Sequence, residues 1–342
     1  MSKFYVFILF LLFPVNVRAI VFSIEQLPIS DDVKKTFPKL NSRSFIITNK
    51  KANIVLHEEF SKIPMKFEGI NYFIFSSILL RSLDKKQEKV IINYLKTGND
   101  TQFKNILLEE NINALLTKYI KQYGTQNTSV NLTNNTTNLY DICCMFYEAF
   151  NFLKRYTCSG VLKNGYNVNL LSFSIGKNYG CAIKIKNANN EDFYCVLYGA
   201  SSFKALEEDI ENIKTWLVQF FTYKVSISGE KIAEIPVFYG EKDSCIASIK
   251  EEHFVILSKY LNKNITKTSV YRTMLEAPVM SGENIGVVTY NTSIFKNNII
   301  KYILTDEHIE KANKLKIILD SIAYIIFGSP YRKTKICKSE DY

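Results

Sequence analysis

The stretch Phe193-Tyr194-Cys195-Val196-Leu197-Tyr198-Gly199-Ala200-Ser201-Ser202-Phe203-Lys204 changes structural character partway along. Aromatic and β-branched residues up to Tyr198 favour a strand, and Gly199 to Ser202 are small residues that end it. Apolar residues then return at helical spacing from Ala205 to Thr222, a run that includes Trp216, the chain's single tryptophan. A strand that hands over to a helix in this way marks a mixed α and β unit. Upstream, Val168 to Ile175 and Ala182 to Lys186 read as further strands. Downstream of Lys224 every apolar run is strand-like: Ile232 to Tyr239, Phe254 to Ser258, Thr268 to Leu275, Ile285 to Tyr290 and Ile299 to Leu304. The quoted stretch therefore sits just ahead of a boundary near Val225, between a mixed unit and a β-rich one.

Earlier in the chain, Ser44 to Thr48 and Asn53 to His57 form a β-hairpin pattern around Asn49-Lys50-Lys51-Ala52. Gly69 to Leu83 is apolar on most sides and reads as a buried helix. Helical periodicity resumes over Gln87 to Leu95, Thr101 to Tyr123 and Tyr140 to Tyr156, with a polar Asn/Thr loop from Asn127 to Asn138.

The chain has 342 residues, 47% hydrophobic and 22% charged, a balance that buries a core and excludes a disordered chain. Lys and Arg number 43 against 33 Asp and Glu, a net charge of +10. That charge is spread along the chain, which favours weak attraction to an anionic surface and argues against nucleic acid as a partner. Lys3, the apolar run Phe4 to Phe13, Pro14 and then Val17-Arg18-Ala19 have the form of a secretory signal peptide. A ten-residue helix would be ~15 Å long, about half a bilayer's hydrocarbon core, so removal after Ala19 is expected rather than permanent insertion.

The seven cysteines are scattered and include no CxxC, and His57, His253 and His308 are far apart, so neither a metal nor another cofactor is expected. The spacing leaves open one or two disulfides among Cys143 to Cys195. Near the C-terminus, Leu315, Ile318, Leu319, Ile322, Ile325 and Ile326 recur at helical spacing beside Lys311, Lys314 and Lys316. Such a helix either docks on its own domain or lies in a membrane interface, while Asp320 argues against spanning.

The order of these elements, with the strings Tyr198 to Lys204 through Trp216 and Phe220-Phe221, then Ile235-Pro236-Val237-Phe238-Tyr239-Gly240 and Leu275-Glu276-Ala277-Pro278-Val279, resembles the low-molecular-mass penicillin-binding proteins that are D-alanyl-D-alanine carboxypeptidases. The resemblance runs, with gaps, from about Ser42 to about Phe327. It implies an α+β fold: a signal peptide over 1–19, a shortened β-lactamase-like transpeptidase-type domain over 20–224, a small β-rich domain over 225–304, and an amphipathic helix and tail over 305–342. It also implies an exported, periplasmic protein, peripheral on the outer face of the cytoplasmic membrane through the C-terminal helix, with peptidoglycan stem peptides as partners.

Members of that family perform acyl transfer with SxxK, S-[DG]-N and K-T-G motifs. A serine hydroxyl needs a nearby base to become a nucleophile, which the first motif supplies one helical turn away. By resemblance, Lys163-Asn164-Gly165 stands for the third motif and Thr97-Gly98-Asn99 for the second, so Asn99, Lys163, Asn164 and Gly165 are the expected substrate-binding residues. The first motif is missing. In Pro64-Met65-Lys66-Phe67-Glu68-Gly69-Ile70, Lys66 occupies the nucleophile position and Gly69 the base position. SxxK spacing elsewhere, as at Ser82/Lys85 or Ser201/Lys204, is a chance expectation in a lysine-rich chain.

Three readings follow. The first is a family member with its acylation chemistry lost or severely reduced, kept for binding or scaffolding. The second is an active carboxypeptidase with another nucleophile, Ser76, Ser77 or Ser82. The third is a secreted glycoprotein, since N-x-[ST] sequons occur at Asn99, Asn127, Asn131, Asn134, Asn135, Asn264 and Asn291.

Overall fold

A computed structural model describes residues 25–66, 70–80, 85–97, 102, 105–106, 110–122, 125, 127–128, 136–153, 169–175, 177–261, 264–327 and 334–341. The first unit is built on a six-stranded sheet. Its strands are β1 (Glu25–Gln26), β2 (Ser44–Asn49), β3 (Ile54–Glu59), β6 (Asn169–Ile175), β7 (Asn178–Lys186) and β8 (Asp192–Ala200), in the order β1-β3-β2-β8-β7-β6. All neighbours are antiparallel except β1 and β3. A two-stranded ribbon of β4 (Met65–Lys66) and β5 (Thr136–Thr137) lies apart from it.

Side-chain alternation divides the sheet into two buried faces. Ile46, Val55, Ala182, Tyr194 and Val196 point to the front, where α2 (Ile70–Leu79), α3 (Lys85–Thr97), α4 (Glu110–Gln122) and α5 (Leu139–Leu153) form a helical layer. Phe45, Ile47, Leu56, Phe193, Cys195 and Leu197 point to the rear, against α1 (Asp31–Thr36) and α6 (Phe203–Leu217). The rear core continues without a break into the second unit, through Ile235, Val237 and Val288.

The junction quoted first forms as its residues dictate. Gly199 has φ +93°, and a Cβ there would stand 3.0 Å from Arg43 Cβ, so the end of β8 needs glycine. Ser202 caps α6, its Oγ accepting from Ala205 N at 3.1 Å. The helix ends at Leu217 rather than Thr222, because Phe220, Phe221, Thr222 and Tyr223 suit a strand and form β9 (Phe220–Ser226), paired with β12 (His253–Ser258).

The second unit is a seven-stranded sheet of β10 (Glu230–Phe238), β11 (Ser244–Ile249), β13 (Thr266–Arg272), β14 (Leu275–Glu276), β15 (Asn284–Asn291), β16 (Ile299–Thr305) and β17 (Thr334–Asp341), in the order β14-β10-β11-β16-β15-β13-β17. Gly286 lets β15 approach β13: a Cβ there would lie 2.4 Å from Val270 O. Helix α7 (Lys314–Phe327) lies within the amphipathic helix and tail expected over 305–342, and β17, in that tail, pairs with β13. No helix among the described residues is long and apolar enough to cross a membrane.

Candidate functional site

The front helical layer is arranged around α2. This helix packs on α3, α4 and α5 and also touches the sheet at its edge strand β6. Phe75, Ile78 and Leu79 fill the core between these elements. The chain enters α2 from β4, so Lys66, paired with Thr136, stands just ahead of the start of the helix. Thr97 is the last residue of α3. Gly69, Asn99, Lys163, Asn164 and Gly165 lie outside the described residues. The strand that follows Lys163-Asn164-Gly165 in sequence is β6, against α2.

Ser76 and Ser77, two of the alternative nucleophiles, are both fully buried within α2. A hydroxyl enclosed on all sides of a packed helix meets no substrate carbonyl. Ser82, the third, lies outside the described residues.

A buried carboxylate that the sequence reading missed holds the ribbon in place. Asp141, in the first turn of α5, is completely enclosed. Its Oδ2 accepts from Asn127 N and Thr128 Oγ1, both at 2.8 Å. Thr128 Oγ1 in turn lies 2.7 Å from Thr137 Oγ1 on β5, and Asp141 N donates to Asn138 Oδ1 at 2.7 Å. The chain therefore runs from Asp141 through Thr128 and Thr137 to the strand beside Lys66. Tyr140 N also donates to Ser61 O at 3.2 Å, tying the loop ahead of β4 to the same helix start. The signal was present in the sequence: Asn138 followed three residues later by Asp141 is a helix-start pattern.

Cys143, Cys144, Cys181 and Cys195 are buried free thiols, so the disulfide left open among Cys143 to Cys195 is not formed between any of these four. Burial pushes the Cys143 thiol up to about 12, which leaves it protonated and inert as a nucleophile. Among the described residues no group of His, Cys, Asp or Glu is arranged to hold a metal ion.

At the far end of the chain, Asp320 Oδ2 accepts from Tyr239 N at 2.8 Å and Lys316 Nζ donates to Asp243 Oδ1 at 2.5 Å, so α7 is bonded to the second unit on one side. Leu315, Ile318, Leu319, Ile322 and Ile325 are exposed, Ile325 to 80%.

Residues 220–315 match the family model for the C-terminal domain of penicillin-binding protein 5. Over 230 residues the chain is 22% identical to the D-alanyl-D-alanine carboxypeptidase DacA of Haemophilus influenzae, an alignment covering 57% of this chain and 58% of that relative. The chain thus spans under two thirds of the relative's length. Its fold is similar to the crystal structure of penicillin-binding protein 5 from Haemophilus influenzae, with a TM-score of 0.67 at 13% identity over 80% of this chain and 99% of that one. It is also similar to penicillin-binding protein 6B from Escherichia coli, with a TM-score of 0.55 at 9% identity over 78% and 95% of the two chains. By its second unit, its sequence and its fold together, the chain is similar to the low-molecular-mass penicillin-binding proteins, the D-alanyl-D-alanine carboxypeptidase group.

Proposed function

We propose that this protein is a cell-envelope member of the family that keeps the scaffold and has lost the acylation step. The observation that carries the reading is the entry to α2. Where the family places serine and lysine one turn apart, this chain has Lys66 and Gly69, and the serines described within the helix are buried. A primary amine at Lys66 would need its pKa lowered far below ~10.4 to attack a carbonyl. Gly69 has no side chain with which to take up a proton. Losing the nucleophile of a serine hydrolase costs on the order of a million-fold in turnover.

What remains is binding. Asn99 and the Lys163-Asn164-Gly165 segment supply an amide and a cation suited to a peptide backbone and a terminal carboxylate, so a peptidoglycan stem peptide ending in D-Ala-D-Ala is the proposed ligand. The export signal over 1–19 and the exposed apolar face of α7 support a periplasmic protein resting on the outer face of the cytoplasmic membrane. D-alanine release from a D-Ala-D-Ala peptide tests the reading. The purified chain should release none above the uncatalysed background while still binding the peptide by calorimetry. Turnover at a rate typical of an enzyme would overturn it.

A further inference from the structure

Helix α7 sits on the second unit inside out. Between Leu315 and Ile325 its charged residues are Lys316 and Asp320, and both are turned to the protein. Ser321, half-buried beside them, donates back to Ile317 O at 2.7 Å. Leu315, Ile318, Leu319, Ile322 and Ile325 point outward instead, each between 47% and 80% exposed.

The polar side is held by a built seat. Tyr239, just past β10, has φ +60°, a left-handed conformation unusual for a residue with a bulky side chain. Its N–H donates to Asp320 Oδ2 at 2.8 Å, and its carbonyl accepts from Ala312 N at 2.7 Å. Gly240 beside it pairs with Lys311, and a Cβ on that glycine would stand 3.0 Å from Ile309 Cγ2. Glu241 N donates to Glu310 O at 3.0 Å. The two backbone groups of Tyr239 therefore hold both the approach to the helix and its middle turn. On the far side of the helix the chain returns as β17 to pair with β13.

The 14 residues of α7 span ~21 Å, too short to cross a hydrocarbon core of ~30 Å. One face of so short a helix also falls short of the ~800 Å² that each partner of a stable protein interface buries. A bilayer interface covers an apolar stripe of this size, with the polar side left facing the protein.

We propose, resting on the membrane reading of α7, that the helix enters a lipid bilayer interface while still latched at Tyr239, so that the membrane fixes the orientation of the second unit instead of tethering it by a loose tail.

The full chain is mixed with vesicles of phosphatidylethanolamine and phosphatidylglycerol carrying a dansyl headgroup as energy acceptor for Trp216, the single tryptophan. The protein should sediment with the vesicles. Its Tyr239 and Ala312 amides should exchange as slowly there as in solution, and Trp216 should show one narrow lifetime distribution. Ile322→Asp should weaken sedimentation about tenfold or more by placing a charge on the stripe. Asp320→Ala should still sediment, with faster exchange at the Tyr239 amide and broadened lifetimes. Failure of the unaltered chain to sediment refutes the membrane reading and the latch with it. Sedimentation with the Tyr239 and Ala312 amides opened refutes the latch alone, because the helix then leaves the protein to reach lipid. So does an Asp320→Ala protein with unchanged exchange and lifetimes. Dimerisation of vesicle-free protein that Ile322→Asp abolishes assigns the stripe to a second copy and overturns the proposal.

Discussion

Each face of the six-stranded sheet is organised by one buried carboxylate, and the two differ in what they hold. On the rear, Asp209 of α6 accepts from Asn41 N and Ser42 N, both at 2.7 Å, from Ser42 Oγ at 2.6 Å and from Asn41 Nδ2 at 3.1 Å. It joins the last helix of the first unit to the entry of β2, and the core around it runs on into the second unit. On the front, Asp141 holds Asn127 and Thr128 and, through Thr137, a ribbon two residues long. The rear is bonded across the whole unit, whereas the front clamp is local. A layer held by a local clamp can change its chemical residues while the rear keeps the fold. That is the pattern expected of the proposed reading, in which Lys66 stands just ahead of α2 in a chain whose fold is similar to penicillin-binding protein 5.

The largest expected difference between the faces comes from removing the two carboxylates. Asp209→Ala leaves two backbone amides and two side-chain donors without a buried acceptor, at about 1 to 3 kcal/mol for each that stays unsatisfied, and should destabilise the whole protein, measured by chemical denaturation. Asp141→Asn keeps the shape but weakens the bonds to Asn127 and Thr128, at about 1 to 3 kcal/mol. Its effect should appear in hydrogen exchange as lost protection confined to β4, β5 and the start of α5. Equal global losses from both variants would contradict the distinction between the faces.

A smaller effect concerns pH. Burial, with a contribution from the Lys34 charge, holds His57 down to about 4 from an ordinary 6.5. The unfolded chain then binds the extra proton first as pH falls. Stability should therefore decline from about pH 6.5 to about pH 4, and this contribution should be flat above and below that window. His57→Gln should show a shallower fall in Tm across the window. An unchanged slope would place the acid sensitivity elsewhere, outside the rear aromatic cluster.

The rear face and the second unit were the most legible in the sequence. The run from Phe193 to Tyr198 is continuously apolar, as a strand buried on both faces requires, and the helix with Trp216 carries a clean apolar stripe. Its end was read too late, since Phe220 to Thr222 continue the apolar pattern while belonging to β9. Strand β11 was missed because Ser244-Cys245-Ile246-Ala247-Ser248-Ile249 is small and polar and takes its conformation from its neighbours β10 and β16. For a similar reason β17 was missed, its lysines and acids giving no apolar alternation. On the front, the helices were found by periodicity, but the role of Asp141 depends on residues far apart in sequence that only the fold brings together. The reading that Lys66 and Gly69 replace the family's serine and lysine rests on the sequence alone.

The central claim is that the scaffold survives without an acylating serine, and the most direct test is intact-protein mass spectrometry after incubation with a penicillin. The account predicts an unmodified mass at concentrations and times that saturate an acylating relative measured alongside. A stoichiometric adduct of one penicillin per chain, mapped to any serine, would contradict it.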